Sequence, residues 1–220
     1  MQELFRSRNH KNKNKTYKYV YDSHVIKIGS DLILQKEYQV SLIVSELKVP
    51  TFIRYTYDVS GLIMPFYYLG NIERYTWDLD NFDILKNVIQ HACCSLIYAF
   101  TTIQFVHRDI HLANILLTQT TREYIQYGDF SIPCMGILPV IVDFDRSDID
   151  TSSAGKHVMY EDILRFVHLI GSETKVKFET SSIRSILFSF QKSTNNNNIS
   201  TIFQKICTHI DTFSIRYISQ

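Results

Sequence analysis

The spacing of the apolar residues changes at Gly70-Asn71, and this change constrains the fold more than any other feature of the sequence. Alternating apolar and polar residues predict short strands on both sides of it, at 16–28, 51–57, 62–68, 112–118, 123–127 and 138–142. Apolar residues at helical spacing predict one helix before it and four after it, at about 30–47, 80–103, 158–170, 181–190 and 199–218. The sequence therefore predicts an α+β fold in which a small β-rich part precedes a larger, mainly helical part.

Composition narrows the classes of protein that this chain can belong to. The 220 residues are 45% hydrophobic and 20% charged, with a formal net charge of +1, so no overall electric field favours nucleic acid or a membrane surface. No apolar run approaches the roughly 18 residues that span a bilayer. Residues 1–15 are polar and basic, without the apolar stretch of a secretory signal. We therefore expect a disordered basic tail over 1–15 and an intracellular protein that is not secreted and binds neither membrane nor nucleic acid directly.

The strongest local signal lies at 105–117, where His107, Arg108 and Asp109 precede Asn114 and an apolar strand. This is the His-Arg-Asp-x-x-x-x-Asn pattern of a protein-kinase catalytic loop. Phosphoryl transfer depends mostly on positioning and on charge neutralisation, so the protein must orient a hydroxyl group and hold divalent metal. In this interpretation, Asp109 orients the substrate hydroxyl and Asn114 binds the metal.

A second metal ligand is needed after the loop, and two aspartates compete for this role. Asp143 follows the apolar strand at 140–142, whereas Asp129 follows the weaker Tyr127-Gly128. An acid at the end of a buried strand is held rigidly by its neighbours, which suits a metal ligand. The strand context favours Asp143. Asp129 stays an alternative because it is closer to Asn114 in the sequence.

The nucleotide-binding residues are predicted in the β-rich part. Lys27 ends a Val-Ile-Lys strand that is similar to the lysine strand of protein kinases, and Glu37 on the following helix is its candidate partner. Glu46 is the rival. It lies on the opposite face of the same predicted helix, so only one of the two glutamates can point inward.

A strand at 62–67 resembles the one that enters the kinase hinge. There Met64 would border the adenine pocket, and the backbone groups of Pro65 and Tyr67 would bind the base. Proline has no N–H group, so the donor would come from Tyr67.

The stretch from His107 to Asp143 resembles the haspin branch of the protein-kinase superfamily. The resemblance rests on His111, on a long insertion before Asp143, and on the element Ile132-Pro133-Cys134-Met135-Gly136 that precedes the strand. Asp162 resembles the helix acid that ties down the catalytic-loop backbone in this family. The composition, rich in Asn, Ile, Lys and Tyr, and the small amino-terminal part resemble the reduced kinases of large DNA viruses.

The resemblance implies a bilobal protein-kinase-like fold, with a reduced N-lobe at 16–64 and a C-lobe at 65–220. It implies an ATP-dependent serine/threonine kinase that uses Mg²⁺ and acts on a protein, with a basic histone-like tail as one candidate substrate. A viral source would place it in the host cytoplasm or nucleus. The implied catalytic residues are Asp109, His111, Arg108 and Lys27.

Departures from the family's pattern leave other functions open. No Gly-x-Gly-x-x-Gly is present, the metal-binding triplet ends in Asp145 where most kinases have glycine, and the segment from Asp143 to Asp162 is too short for a full activation segment. A pseudokinase that binds nucleotide or protein without transferring phosphate is one alternative. Asp109-Ile110-His111 is also similar to the loop of aminoglycoside and choline kinases, so a small-molecule phosphotransferase is another.

Overall fold

The amino-terminal part of the chain forms a five-stranded antiparallel sheet with one helix against it. The computed structural model describes residues 2–6, 16–173, 183–187 and 199–213. Its first strands are β1 (Gln2–Arg6), β2 (Tyr17–Val20), β3 (His24–Ile28), β4 (Thr56–Asp58) and β5 (Gly61–Pro65), in the spatial order β1-β2-β3-β5-β4. Helix α1 (Asp31–Ser45) contacts β4 and β5 and buries Leu34, Val40 and Val44.

Gly61 allows β3 and β5 to lie close together. Its φ of 126° falls in a region that L side chains rarely adopt, and a Cβ atom at this position would lie 2.5 Å from the carbonyl oxygen of Lys27. Lys27 is paired with Leu62 in the same register. A glycine is therefore required where the second strand passes the backbone of Lys27.

The remainder of the chain is mainly helical, with short strands inserted. The helices are α2 (Phe82–Ile103), α3 (Ser153–Glu173) and α4 (Ile199–Asp211), together with a 3-10 turn (Leu112–Asn114) and a helical run at 183–187. The strands are β6 (Phe105–Val106), β7 (Ile115–Gln119), β8 (Tyr124–Tyr127), β9 (Phe130–Pro133), β10 (Ile137–Ile141) and β11 (Asp148–Ile149). Helix α2 lies at the centre of this part and contacts α3, α4, β6 and β10.

The two parts of the chain are joined through the antiparallel pair β7–β10. The Ile53 N–H donates to the Ile141 carbonyl at 3.1 Å, and the Ile141 N–H donates to the Thr51 carbonyl at 2.8 Å. The Ile72 N–H donates to the Ile115 carbonyl of β7 at 2.9 Å. Because β10 is bonded on both edges, the residues that follow it are held in a defined position against the sheet.

A buried polar network centred on His91 fastens the β8–β9 hairpin to α2. His91 Nε2 lies 3.1 Å from the Pro133 carbonyl oxygen, which can only accept, so Nε2 carries the proton. Nδ1 lies 2.9 Å from the Tyr127 hydroxyl, and the Ser95 hydroxyl donates to the His91 carbonyl at 2.6 Å. Burial lowers the pKa of His91 to about 4, so the imidazole is neutral in the folded protein at neutral pH.

The structure is α+β, as the sequence predicts, but it differs from the prediction at the ends of the chain. Residues 2–6 form β1 and pair with β2, with Gln2 opposite Val20, whereas the sequence predicts a disordered tail over 1–15. Strand β2 supplies the hydrogen-bond partners of residues 2–6, and no apolar alternation in these residues predicts a strand. Residues 7–15 lie outside the described residues, as do parts of the helices predicted at 181–190 and 199–218. No described helix has the length and apolar character needed to cross a membrane.

The buried His91 makes the stability of the protein depend on pH. An unfolded histidine titrates near pH 6.5, so between about pH 6.5 and 4 the unfolded chain binds a proton that the folded chain excludes, and stability falls as the pH is lowered. We expect wild type to lose about 2 kcal/mol more than His91→Gln between pH 7 and pH 5. Urea unfolding at both pH values measures this difference. His168→Gln, at an exposed position on α3, is the control and should lose as much stability as wild type between the two pH values. An equal loss of stability in all three proteins would contradict the role given to His91.

Candidate functional site

Lys27 is buried because of its position in β3. Alternation along the strand turns Val25 and Lys27 to one buried face, and Lys27 is only 4% exposed. A charged group held out of water needs partners of opposite charge. The Lys27 ammonium has two of them, since its Nζ lies 2.6 Å from Oε2 of Glu37 and 2.5 Å from Oδ1 of Asp143.

Glu37 reaches Lys27 from the buried face of α1. The buried residues Leu34, Glu37, Ser41 and Val44 recur every three or four positions, and Glu37 is fully buried. Of the two predicted candidates, the structure brings Glu37 to Lys27. The rival, Glu46, follows the end of α1 and is exposed.

Asp143 lies two residues after the end of β10 and has an unusual backbone. Its φ of 71° lies in the left-handed region, which a residue with a side chain occupies only when its surroundings hold it there. The Asp143 N–H donates to the Tyr55 hydroxyl at 2.9 Å, and the next N–H, that of Phe144, donates to Oε1 of Glu37 at 3.2 Å. The Asp143 carboxylate also accepts from Nζ of Lys18 at 3.2 Å. These bonds aim the carboxylate at the two lysines.

The pKa values of this cluster reflect a balance between burial and opposite charge. Burial by itself would lower the pKa of Lys27, but Asp143 and Glu37 raise it above its ordinary value. Burial by itself would raise the pKa of Asp143, but Lys18 and Lys27 hold it well below its usual range. For Glu37, burial outweighs the attraction of Lys27, so its pKa is raised. Lys27 and Asp143 are therefore both charged at neutral pH.

The backbone of the His107–Asn114 loop is held by Asp162 of α3. Oδ2 of Asp162 accepts the N–H of His107 at 3.1 Å and the N–H of Arg108 at 2.9 Å. Arg108 has a φ of 65°, in the left-handed region that residues with side chains rarely adopt. The His107 ring donates from Nε2 to the Val142 carbonyl at 3.0 Å, which ties the loop to the end of β10. Asp162 thus has the position that the resemblance implies for it.

Asn114 links the loop to Val142, the residue before Asp143. Its side-chain N–H donates to the backbone carbonyl of Asp109 at 3.1 Å, and its backbone carbonyl accepts the N–H of Val142 at 3.0 Å. The Asp109 carboxylate is partly exposed and lies 3.5 Å from Nη1 of Arg146. His111, which is half-buried, precedes the 3-10 turn, and its carbonyl accepts the Asn114 N–H at 2.9 Å. The structure therefore brings the ends of the two predicted metal-binding segments side by side.

Arg108 holds the segment that follows Asp143. Its Nη2 lies 2.7 Å from Oδ2 of Asp150, whose other carboxylate oxygen accepts the Ser152 N–H at 3.0 Å. The Asp150 N–H donates to the Gln104 carbonyl at 2.9 Å, beside the antiparallel pair β6–β11. A carboxylate supplied by the chain itself thus fixes this short segment.

The remaining predicted residues lie at two separate places. Met64 and Pro65 end β5, and Tyr67 follows it, with burial raising the pKa of Tyr67 to about 12. Asp129, the alternative metal ligand, is exposed in the turn between β8 and β9, whereas Asp143 contacts Lys27. The functional roles of all these residues remain predictions.

Two residues of the cluster, Lys18 and Tyr55, are missing from the predicted site. Tyr55 is 4% exposed, bonds to the backbone of Asp143 and carries a pKa raised by burial. Lys18 lies opposite Lys27 in the β2–β3 pair. The strand alternation at Tyr17, Lys18 and Tyr19 is a signal that could have placed Lys18 on the face of Lys27. No local pattern marks Tyr55.

Asn114 and Asp143 are the oxygen donors that could hold a cation. Because the Asn114 amide directs its N–H to Asp109, its Oδ1 remains as an acceptor. Within the described ranges, no group of three or more His, Cys, Asp or Glu side chains is placed to hold a metal. Mg²⁺ is commonly bound through one or two carboxylates together with substrate phosphates and water, so this small donor set fits Mg²⁺ with a polyphosphate.

A cavity of about 280 Å³ lies elsewhere, between α2, the β8–β9 hairpin and α4, and none of the predicted site residues lines it. Its buried polar side chains are bonded within the protein. Asn87 donates to the Pro133 carbonyl at 2.8 Å, and Gln90 donates to the Asp211 carboxylate at 2.7 Å. The cavity is therefore separate from the Lys27 cluster.

Comparison with known proteins indicates a protein-kinase-like relationship. No protein-family model matches the chain. The chain is similar to serine/threonine-protein kinase haspin of Bos taurus, with 26% identity over 145 residues, covering 64% of this chain and 17% of that protein. Haspin of Mus musculus is 28% identical over 127 residues, covering 56% of this chain and 16% of that protein. An uncharacterized protein of Caenorhabditis elegans is 28% identical over 75 residues, which is 32% of this chain and 25% of that protein. The similarity thus spans a small part of each of these relatives.

The buried cluster predicts a specific pattern of stability changes. Lys27→Met leaves the buried Glu37 carboxylate without its cation, so we expect a loss of about 3 kcal/mol in the free energy of unfolding. Adding Glu37→Gln removes the stranded charge, so the double variant should be more stable than Lys27→Met alone. Denaturant unfolding of the wild type, both single variants and the double variant measures this coupling. Additive losses would show that Lys27 and Glu37 do not stabilise each other.

Proposed function

We propose that this chain is an ATP-dependent, haspin-like protein kinase that transfers the γ-phosphate of ATP to a serine or threonine hydroxyl. The proposal includes a bilobal fold, with a reduced N-lobe at 16–64 and a C-lobe at 65–220. The observation that carries it is the meeting of Lys27, Glu37 and Asp143, which come from a strand, a helix and a loop. Similarity to two haspin kinases supports the same activity independently.

The predicted nucleotide-binding residues have separate roles under this proposal. Lys27, oriented by Glu37, presents its ammonium to the α- and β-phosphates of ATP. Asp143 and Asn114 hold Mg²⁺, which neutralises the charge of the phosphates. At the end of β5, Met64 borders the adenine, and the backbone groups of Pro65 and Tyr67 bind it.

The loop residues act on the protein substrate. Asp109 orients the attacking hydroxyl and accepts its proton. His111 donates a hydrogen bond to the phosphate being transferred, more strongly when the imidazole is protonated. Arg108 positions the segment around Asp150, so the site is assembled without phosphorylation of that segment.

The substrate class is proposed from charge. Asp145, Asp148 and Asp150 follow the metal-binding position, and Asp150 is already engaged by Arg108. The remaining acids would attract a basic peptide, in keeping with a histone-like tail.

The proposal predicts that three aspartates respond differently to substitution by asparagine. Asp109→Asn should lower the rate of phosphate transfer about 10²–10⁴-fold and leave ATP affinity unchanged, because Asp109 acts on the hydroxyl. Asp143→Asn should abolish Mg²⁺-dependent ATP binding and transfer together. Asp129→Asn, in the exposed β8–β9 turn, is the matched control and should behave as wild type. Radiolabel transfer to a basic peptide, paired with calorimetric ATP titration, measures both properties.

Other results would identify the alternative functions. ATP binding by the wild type without transfer to any protein would favour a pseudokinase. Transfer to a small alcohol such as choline, but to no protein, would favour a small-molecule phosphotransferase. Full activity in Asp109→Asn would remove Asp109 from its proposed role.

A further inference from the structure

Lys18 and Lys27 form a pair of adjacent cations on one face of the sheet. They are directly opposite each other in the antiparallel pair β2–β3. Side chains at opposite positions of an antiparallel pair point to the same face, with Cβ atoms roughly 5 Å apart. Two like charges in this arrangement repel each other unless an anion lies between them. Here the Asp143 carboxylate contacts both, with Oδ2 3.2 Å from Lys18 and Oδ1 2.5 Å from Lys27.

The two lysines differ in their access to solvent. The side chain of Lys27 is 5% exposed and is bonded to two carboxylates, whereas that of Lys18 is 35% exposed and contacts Asp143. An ammonium group has three N–H donors. The contact with Asp143 uses one donor of Lys18, so this side chain retains capacity for a further anion at the mouth of the cluster.

We propose that Lys18 is a second phosphate-binding lysine, which contacts the polyphosphate of the nucleotide together with Lys27. This inference rests on the proposed kinase function. A glycine-rich loop would supply backbone N–H donors to the phosphates, and the sequence contains no Gly-x-Gly-x-x-Gly. The Lys18 ammonium supplies positive charge on the strand beside Lys27, so one side chain substitutes for donors that the loop would otherwise give. When Asp143 binds a cation, the phosphate oxygens replace it as the anion between the two lysines.

Comparison of ligands that differ only in phosphate tests the role of Lys18. Calorimetric titration of the full chain with Mg²⁺–ATP, Mg²⁺–ADP and adenosine reads binding without depending on turnover. We expect Lys18→Met to weaken ATP and ADP binding about tenfold and to leave adenosine binding within about twofold of wild type. Lys18→Arg retains the charge and should bind ATP within about threefold of wild type. Lys36→Met removes an exposed lysine of α1 and is the matched control.

The outcomes separate this inference from the function on which it rests. If wild type binds ATP and Lys18→Met matches Lys36→Met, the role of Lys18 is refuted and the kinase proposal stands. If Lys18→Met weakens ATP and adenosine equally, its effect is a general loss of the site, and the phosphate-specific role is refuted. If wild type binds no nucleotide, both proposals fail. Thermal unfolding of each variant verifies that it is folded before titration.

Discussion

The free-energy cost of keeping the Lys27 ammonium out of water is the constraint on which the site depends. A buried cation is tolerated only when anions surround it at hydrogen-bond distance, and Lys27 has two, Glu37 from α1 and Asp143 from the loop after β10. These partners come from distant parts of the chain. The ion cluster therefore fixes α1 and the carboxyl end of β10 relative to the sheet. The side chains that hold these elements together are also the charged groups of the candidate site.

The loops around the cluster are held by hydrogen bonds to backbone groups. Asp143 and Arg108 both have positive φ values, which cost energy for residues with side chains. Tyr55 accepts the N–H of Asp143, and Asp162 accepts two successive N–H groups at Arg108. Burial of Phe144, whose ring meets those of Tyr55 and His107 edge-on at 6.0 and 5.8 Å, adds apolar contact to these bonds. The strained backbone is thus maintained by its surroundings, as is common where side chains must be aimed accurately.

Geometry and sequence similarity support the proposed kinase function along different lines. The similarity is limited to 26–28% identity over part of the chain and includes no family-model match. The geometry is a separate line of support, because it consists of the ion pairs of Lys27 and the hydrogen bond from the Val142 N–H to the Asn114 backbone carbonyl. Under the proposed kinase function, devices found in larger kinases are reduced in this chain. No glycine-rich pattern precedes Lys27, and one carboxylate, that of Asp150, holds Arg108 and the short segment that follows Asp143.

The sequence by itself determined the α+β class, the order of the main helices and strands, the His107–Asn114 loop, the candidate pair Lys27 and Glu37, and the candidate metal ligand Asp143. Each of these features is predicted by residues a few positions apart, through helical or strand periodicity or through a spaced motif. Only the tertiary structure showed that Glu37, and not Glu46, meets Lys27, and that Asp143 contacts the same ammonium. It also revealed β1, whose residues show no apolar alternation, and brought in Lys18 and Tyr55, which lie 125 and 88 positions from Asp143. Contacts at that separation arise from how the sheet, α1 and β10 pack together, and local periodicity carries no information about that packing.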